Sequence, residues 1–194
     1  MTYVYDIFIS YRRRPPVEDW VRYHFYPLLK KWLPQSMPRE PMIFIDVGVE
    51  TGTEWAIALE NALKSSRCLL PVLSPDYFRS NWCLAEWQSM IEREQQLGLR
   101  TAQNPNGIIY PVVFSDGEHF PDEAKQIQQR DLRKWNSSYL SFAETKGIVE
   151  LEQQVQELSE ELWNMLQRVP PWQDFPVVTP KVSPNVTVHL PRLQ

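Results

Sequence analysis

Residues 80–87, Ser-Asn-Trp-Cys-Leu-Ala-Glu-Trp, combine side-chain types that can act on a sugar. On a helix, Glu86 would lie about one turn beyond Trp82 and Cys83, because residues three and four apart share a helix face. A carboxylate beside an aromatic ring can hold a ribose while a base leaves it. Spacing alone leaves a second interpretation open, since most isolated glutamates on helices are solvated surface residues.

Other familiar catalytic motifs are absent from the sequence. The six glycines form neither a G-x-x-x-x-G-K-[ST] phosphate loop nor a G-x-G-x-x-G dinucleotide motif, and no serine stands in G-x-S-x-G. These absences argue against ATP hydrolysis, ordinary hydride transfer and serine hydrolase chemistry. Cys83 has no neighbouring histidine to act as its base, so a buried structural cysteine is the favoured interpretation.

Composition narrows the class of protein. The chain has 194 residues, 43% of them hydrophobic, with 8 Trp, 8 Tyr and 8 Phe, which suits one domain with a substantial core plus appendages. The net charge of −4 and the single basic run, Arg12–Arg14, give no support for a nucleic-acid partner. Two cysteines and three histidines make neither a disulfide framework nor a metal-ligand set, so no metal site is expected.

Targeting signals are also missing. The first residues enter an apolar strand pattern without a charged leader or a cleavage site. No apolar run approaches the ~20 residues that span a bilayer. We therefore expect a cytoplasmic protein with no membrane partner.

Apolar runs predict the strands. Residues 3–9 are a near-continuous apolar run, which is typical of a strand covered on both faces, and the polar segment 10–16 is predicted to be a turn. Further strands are predicted at 42–45, 68–73 and 107–113, with a fifth somewhere in 133–140. Pro71 argues against a fully paired central strand at 68–73, because proline lacks the N–H that a ladder needs.

Helical periodicity fills the intervals between these runs. Helices are predicted at 18–33 (kinked or split at Pro27), after an N-cap at Thr53, from Ser74 with a break near Ser80 and then on to about 97, at 121–133, and at 148–169. Strands that alternate with helices predict parallel crossover units. The sequence therefore predicts an α/β fold with helices on both faces of a parallel sheet.

The last residues differ in character from the rest. Prolines 170, 171, 176, 180, 184 and 191 oppose regular structure across 170–194. We expect a domain spanning 1–169 followed by a flexible tail. Docking of that tail on the domain or on a partner is the alternative.

The predicted sheet also indicates where a ligand would bind. In such sheets ligands lie beyond the carboxyl ends of the strands. The segments that follow the strands are 10–14, 46–53, 74–82 and 114–120, and Glu86 falls on the same side. Two interpretations stay open for the side chains there. Trp55 and Trp82 are either stacking surfaces or core anchors, and Arg12 and Arg13 either bind a ligand or form surface salt bridges.

Four segments resemble motifs of the Toll/interleukin-1 receptor (TIR) domain family. Residues 5–12 (YDIFISYR) resemble its opening strand, and 44–52 (FIDVGVETG) resemble its second strand and BB loop. Residues 73–77 (LSPDY) and 80–86 (SNWCLAE) resemble the exit of its third strand and its W-C-x-x-E box. They occur in family order and at family spacing. The resemblance covers Tyr3 to about Val169, as in standalone prokaryotic TIR proteins.

The resemblance implies a flavodoxin-like three-layer sandwich with a five-stranded parallel sheet. Enzymatic members of the family cleave the nicotinamide–ribose bond of NAD+, giving nicotinamide and ADP-ribose or a cyclic isomer. Adaptor members only assemble with other TIR domains. Enzymatic members keep a glutamate at the position matched by Glu86, so an enzyme is the favoured interpretation. A non-catalytic interaction module is the alternative, and a nucleotide-binding signalling domain without chemistry is a third.

The resemblance also implies roles for single residues. Glu86 would be catalytic, holding the nicotinamide ribose as positive charge develops on it. Trp55 would flank the nicotinamide, and Trp82 would form the wall next to Glu86. Contacts with NAD+ or its phosphates are implied for the residues after the first strand, Tyr11, Arg12 and Arg13. The expected substrate-binding set is completed by Phe8, Ser10, Asp46, Ser74 and Cys83. Of these, Phe8 also fits a strand core and Asp46 a strand end. NAD+ is the expected substrate, and no permanently bound cofactor is implied.

Partners follow from the same resemblance. Family enzymes need TIR–TIR association because neighbouring subunits complete the pocket. We therefore expect self-association and an activity that rises steeply with protein concentration. A separate sensor or effector protein is a further expected partner, within a prokaryotic antiviral or stress defence system.

Overall fold

One parallel sheet organises the part of the chain that the structure describes. The computed structural model describes residues 2–46 and 53–180. Its strands are β1 Tyr5–Tyr11, β2 Ile43–Ile45, β3 Ser66–Leu73, β4 Val112–Val113 and β5 Arg130–Asp131. They lie in the order β2-β1-β3-β4-β5, and each neighbouring pair is parallel. This is the flavodoxin-like order, so the predicted fold class is confirmed.

Helices lie between the strands and cover the sheet. They are α1 Val17–Trp20, a π-helical turn Val21–Phe25, α2 Tyr26–Ser36, α3 Thr53–Lys64, α4 Asn81–Gln96, α5 Asp122–Lys125 and α6 Lys146–Leu166. Helices α2 and α6 pack against each other. Helices α3 and α4 meet through Arg93, which donates to the carbonyls of Leu63 and Ser66 at 3.1 and 2.7 Å. Strands β1 and β3 are buried along nearly their whole length because both faces of the sheet are covered.

Strand β1 runs two residues further than the sequence predicts. Ser10 and Tyr11, expected in a turn, pair with Pro71 and Val72 of β3. Both are buried, and both side-chain hydroxyls have hydrogen-bond partners, which removes the usual penalty for polar groups in a central strand. The longer strand brings these two residues to the ligand-binding edge of the sheet.

Strand β3 lies at the centre of the sheet but is not fully paired, as the sequence predicts from Pro71. Strand β3 pairs with β1 along its whole length, but its ladder with β4 is interrupted. One bridge joins Leu69 to Ile109, and regular pairing resumes only at Val72–Val112. In a parallel ladder alternate residues face alternate neighbours, so Pro71, like Leu69, faces β4. Its missing donor falls in the interruption, and β4 is correspondingly shorter than the predicted 107–113.

The first predicted helix divides as expected and a later one does not form. The π-helical turn separates α1 from α2, and Pro27 lies in the first turn of α2, where no N–H is needed. The helix start predicted at Ser74 is wrong. The Ser74 carbonyl and hydroxyl both accept from the Tyr77 N–H, at 3.0 and 3.3 Å, and this closes a turn instead.

The region after β4 departs most from the prediction. A helix expected at 121–133 is only the four residues of α5, because the Gln129 side chain donates to the Ala124 carbonyl, a group that a continuing helix would use itself. Strand β5 then lies before the predicted 133–140. Leu132, which follows it, is fully buried and donates its N–H to the Val113 carbonyl.

Helix α6 has the amphipathic pattern that the sequence predicts. Its buried apolar residues are Leu151, Val155, Leu158, Leu162 and Leu166. They recur every three or four positions and face α2. The helix begins two residues earlier and ends three residues earlier than the predicted 148–169.

Residues 170–180 pack against the domain. For this part of the tail, the structure therefore shows the docked arrangement that the sequence analysis gave as the alternative to a flexible tail. Phe175 is 1% exposed and stacks under the fully buried Arg93, whose guanidinium carbon lies 4.2 Å from the ring centroid. The Val178 N–H donates to the Ser89 hydroxyl of α4 at 2.9 Å. The predictions for the tail residues 181–194 and for the loop 47–52 lie outside the described residues, and so does the side chain of Thr53, the predicted cap.

Candidate active site

A cavity of about 300 Å³ opens beyond the carboxyl end of β1, between α3 and α4. Its lining contains ten of the eleven predicted site residues: Phe8, Ser10, Tyr11, Arg12, Arg13, Asp46, Trp55, Trp82, Cys83 and Glu86. The remaining lining residues, which the sequence analysis did not single out, are Ile9, Leu59 and Ser80. Four separate stretches of chain therefore meet at the expected edge of the sheet.

Glu86 faces this cavity from the second turn of α4. The helix begins at a Ser80 N-cap, whose side chain accepts from the Cys83 N–H, and this fixes which face Glu86 occupies. Glu86 is only 8% exposed, and its Oε2 accepts a hydrogen bond from the Ser10 hydroxyl at 2.5 Å. The interpretation of Glu86 as a solvated surface carboxylate is therefore excluded.

The surroundings of Glu86 favour its neutral form. Burial raises the pKa of Glu86 from 4.5 to about 8; the Ser10 hydrogen bond opposes this rise, and the nearby Asp46 carboxylate adds to it. A carboxyl group whose pKa is displaced this far within a cavity is a candidate for chemistry rather than for surface solubility.

Behind Ser10 lies a tyrosine that sequence reasoning missed as a site residue. The Tyr77 hydroxyl is 2.8 Å from the Ser10 hydroxyl, and Tyr77 is fully buried outside the cavity lining. Ser74, the one predicted site residue that the structure does not bring to the cavity, braces the turn that holds Tyr77. Tyr77 belongs to the strand-exit motif, but nothing in its spacing indicates that it points toward β1.

Asp46 joins three elements rather than merely ending β2. Its Oδ2 accepts from the Arg13 guanidinium at 2.9 Å and from the Trp55 indole N–H at 3.0 Å, while its carbonyl accepts from the Tyr11 hydroxyl at 2.8 Å. Its Oδ1 is buried without a hydrogen-bond partner in the described part of the chain. Asp46 thereby fixes the Trp55 ring against the cavity and keeps one acceptor unused.

Two tryptophans form the aromatic wall of the cavity. The rings of Trp55 and Trp82 meet edge to face, with centroids 4.6 Å apart, and the Arg13 guanidinium lies over Trp55 at 5.6 Å. Both tryptophans are only partly buried. They pack against the core, as the core-anchor interpretation predicts, and they also present ring surface to the cavity.

The mouth of the cavity is suited to an anion. The Arg12 guanidinium donates to the Ser80 hydroxyl at 3.1 Å, which holds a positive charge at the amino-terminal end of α4. The N–H groups and dipole of a helix amino terminus also favour negative charge. A phosphate placed here would be bound by both.

Phe8 and Cys83 contribute shape rather than reactivity. Phe8 is nearly fully buried and stacks on Phe44, with ring centroids 4.9 Å apart. Burial and the Glu86 carboxylate both raise the pKa of the Cys83 thiol, so the sulfur keeps its proton and is a poor nucleophile. This agrees with the structural interpretation of Cys83.

Comparison with known proteins identifies the family. A sequence model of the TIR domain matches residues 7–145 of this chain, which is more than half of it. The chain belongs to the TIR domain family. Among solved structures, it is similar to the TIR domain of the Toll-related receptor TRR-2 from Hydra magnipapillata, with 19% identity and a TM-score of 0.45, covering 79% of this chain and 99% of that one. It is also similar to TIR domains of the activated Roq1 resistosome that recognises the pathogen effector XopQ. That match has 22% identity and a TM-score of 0.41, covering 82% of this chain and 84% of that one.

Two further cavities of this TIR domain help to locate the chemistry. A larger groove of about 750 Å³ lies between β5 and α6, but its two acidic residues, Asp131 and Glu161, are both half-exposed and are paired with Arg133 and Arg130. A smaller apolar pocket of about 110 Å³ adjoins the Glu86 cavity. It shares Leu59, Trp82 and Glu86 with that cavity, and residues 177–180 form part of its lining. Of these three cavities, only the Glu86 cavity combines a buried acid, aromatic rings and arginines.

Neither a metal-binding cluster nor a membrane-spanning helix is found in the residues that the structure describes. They contain no cluster of three or more His, Cys, Asp or Glu residues arranged to hold a metal ion. Within the same ranges, no helix has the length and apolar character to cross a membrane.

Proposed function

We propose that this TIR domain cleaves the nicotinamide–ribose bond of NAD+ and releases nicotinamide together with ADP-ribose or a cyclic isomer. The observation that carries this proposal is the Glu86 carboxyl group, buried in a cavity walled by tryptophans and lined by arginines. Burying a carboxyl group away from water costs free energy unless a full set of hydrogen-bond partners compensates for it. Among the described residues Glu86 has one such partner, Ser10, which favours a functional reason for its burial. A domain that only assembles with others has no need for a buried carboxyl group in a cavity.

The chemistry suits a single carboxylate. The nicotinamide ring of NAD+ is a pyridinium cation and leaves as a neutral molecule. Its bond to the ribose can therefore break without a proton from a general acid. As the bond breaks, positive charge moves from the pyridinium ring onto the ribose, and an ionised Glu86 would stabilise that charge in a site shielded from water. Water then adds to the ribose carbon and releases a proton to the solvent to give ADP-ribose, or a nitrogen of the adenine adds, again with release of a proton, to give the cyclic isomer. Ordinary glycosidases, whose leaving groups need protonation, use two carboxylates.

The remaining side chains can recognise the substrate. Trp55 and Trp82 offer ring surface to the nicotinamide, and a cationic ring is attracted to aromatic faces. Arg12 and the amino terminus of α4 would bind the pyrophosphate. A cavity of about 300 Å³ would take the nicotinamide and its ribose, with the rest of NAD+ extending toward the arginines.

The direct test is release of nicotinamide from NAD+ by concentrated purified protein. The wild type is compared with Glu86→Gln and with Glu92→Gln, a variant on the same helix outside the cavity lining. Release by the wild type and Glu92→Gln, but not by Glu86→Gln, supports the proposal. An adaptor would release nothing in any of the three. A domain that only binds nucleotide would show affinity for NAD+ without product.

The proposal predicts a rise in activity with pH. Because the pKa of Glu86 in the free protein is about 8, the ionised form needed for catalysis increases as the pH passes through that value. We expect kcat/KM to rise with a midpoint near pH 8 and to approach a plateau about one pH unit higher. The midpoint of kcat should be lower, since a bound pyridinium cation favours the carboxylate. Initial rates between pH 6 and 9, corrected for spontaneous NAD+ hydrolysis, check this. A flat kcat/KM profile would contradict it.

The proposed setting is a self-associating defence enzyme of the prokaryotic cytoplasm, activated by a separate sensor or effector protein. A reducing compartment suits Cys68 and Cys83, which are both buried and unpaired. If neighbouring subunits complete the site, turnover per molecule should fall steeply on dilution and recover when a crowding agent restores association. Constant turnover per molecule across a hundredfold dilution would rule out this requirement.

A further inference from the structure

We propose that Tyr77 is a positioning residue for this reaction, and that its phenolic hydroxyl acts through the Ser10 hydroxyl to hold the Glu86 carboxyl group in place. The inference rests on the proposed function for its catalytic meaning. The hydrogen-bond chain itself consists of three side chains, from the turn after β3, from β1 and from α4.

The directions of the two hydrogen bonds follow from counting protons. In its ionised form the Glu86 carboxylate can only accept, so the one proton of the Ser10 hydroxyl is donated to Glu86 Oε2 at 2.5 Å. The second contact of Ser10, with the Tyr77 hydroxyl at 2.8 Å, must then be one in which Tyr77 donates. Burial raises the pKa of Tyr77 well above its ordinary value, so this donor keeps its proton throughout the working range of pH.

Tyr77 is well placed to fix the geometry without touching substrate. It is fully buried and is not part of the cavity lining. Its N–H donates to the Ser74 carbonyl, and its own carbonyl accepts from the N–H of Ser80, the cap of α4. The turn that carries Tyr77 therefore leads directly into the helix that carries Glu86, and Ser10 ties both to the central strand β1.

The chain of hydroxyls should favour the ionised form of Glu86. The Ser10 hydrogen bond already opposes the effect of burial on the Glu86 pKa. Donation from Tyr77 polarises the Ser10 O–H and strengthens its bond to the carboxylate, because linked hydrogen bonds reinforce one another in a poorly solvated interior. Without Tyr77 the Ser10 hydroxyl is free to turn away, and Glu86 would both ionise less readily and lose its fixed orientation.

Other charged or titratable groups also face this site and must be separated from the effect. From the elements around Glu86 they are Tyr11, Arg12, Arg13, Asp46 and Cys83. Burial raises the pKa values of Tyr11 and Cys83, so both stay neutral, and Asp46 is paired with Arg13. None of these groups contacts the Tyr77 hydroxyl through a hydrogen bond in the described residues, so removing that hydroxyl leaves their pairings intact.

The test uses Tyr77→Phe, Ser10→Ala and the double variant, with Tyr3→Phe as the matched control. Tyr3 also loses one hydrogen bond, to the Pro170 carbonyl, but outside the cavity. We expect Tyr77→Phe to lower kcat about tenfold, the size of one hydrogen bond, and to move the pH midpoint upward. The double variant should match Ser10→Ala, because without the serine hydroxyl Tyr77 has no route to Glu86. Tyr3→Phe should change neither quantity.

A second measurement needs no turnover. The ¹³C resonance of the Glu86 carboxyl group, assigned by its loss in Glu86→Gln, is followed with pH in the absence of NAD+. Its midpoint should lie near 8 in the wild type, higher in Tyr77→Phe, and the same in Ser10→Ala as in the double variant. An unchanged midpoint in Tyr77→Phe, or effects of the two single variants that add in the double, would overturn the inference. A wild type without nicotinamide release would overturn the proposed function alone, and the titration would still decide whether Tyr77 acts on Glu86.

Discussion

Replacing Glu86 with glutamine should abolish nicotinamide release and at the same time make the protein more stable at alkaline pH. Glutamine has the same shape as glutamate and its amide oxygen can still accept from Ser10. The fold should therefore be kept. The loss of one fixed charge beside a developing cation is expected to reduce kcat on the order of 10²–10³-fold.

The gain in stability follows from the direction of the pKa shift. Glu86 has a folded pKa of about 8 against an ordinary value of 4.5, so the folded state holds this proton more tightly than the unfolded state. Its contribution to stability is complete below pH 4.5 and is lost as the pH rises toward 8. The loss amounts to roughly 3–5 kcal/mol at pH 9. Glutamine does not ionise, so the variant avoids it.

Urea unfolding at pH 5 and pH 9 measures this effect. The free energy of unfolding of Glu86→Gln should exceed that of the wild type by several kcal/mol at pH 9 and by much less at pH 5. Glu92→Gln, on the same helix, should parallel the wild type at both values. If Glu86→Gln destabilises the protein equally at both pH values, the carboxyl group is not held in a neutral form by its surroundings. Residues that serve catalysis often lower the stability of the folded state, and Glu86 at alkaline pH would be one of them.

Removal of the residues after Val169 should strongly destabilise the domain, although the sequence predicts a flexible tail there. Phe175 is 1% exposed, and a buried phenylalanine changed to alanine loses about 3–5 kcal/mol. Its ring also covers the fully buried Arg93, whose Nε has no hydrogen-bond partner among the described residues. Truncation after Val169 would expose this cation and the α3–α4 junction, so its effect should exceed that of Phe175→Ala.

A graded series of variants separates the contributions of the tail. Truncation after Pro180 keeps every contact described for residues 170–180, and its difference from truncation after Val169 isolates those contacts. Phe175→Leu keeps most of the apolar bulk but removes the aromatic face, and should lose about 1–2 kcal/mol. Urea midpoints give the order. Equal midpoints for the two truncations would show that residues 170–180 do not support the fold.

Much of the site could be predicted because it depends on short-range rules. The side-chain period of a helix places Glu86 beside Trp82 and Cys83 whatever the rest of the chain does. Parallel strands share one carboxyl edge, so residues after β1 and β2, such as Arg13 and Asp46, had to converge there. These rules locate the site, and the resemblance to the TIR family supplied its predicted residues, of which ten of eleven line the cavity.

The contacts that were missed are long-range ones. Tyr77 reaches Ser10 only because β3 lies next to β1, and the strand order is not written in either segment. Pro71 was expected to prevent full pairing of its strand, but the sequence does not show that the interruption falls in the ladder with β4. Phe175 packs against the Arg93 guanidinium of α4, and no local sequence pattern indicates that these two residues are in contact.

The small pocket behind Trp82 bears on the selectivity of inhibitors. One of its walls is built by residues 177–180, which lie outside the stretch 7–145 that matches the family. A compound that occupied both this pocket and the adjoining cavity would touch Glu86 at one end and, at the other, a segment outside the family match. The affinity of such a compound would depend partly on residues that the shared sequence pattern does not specify.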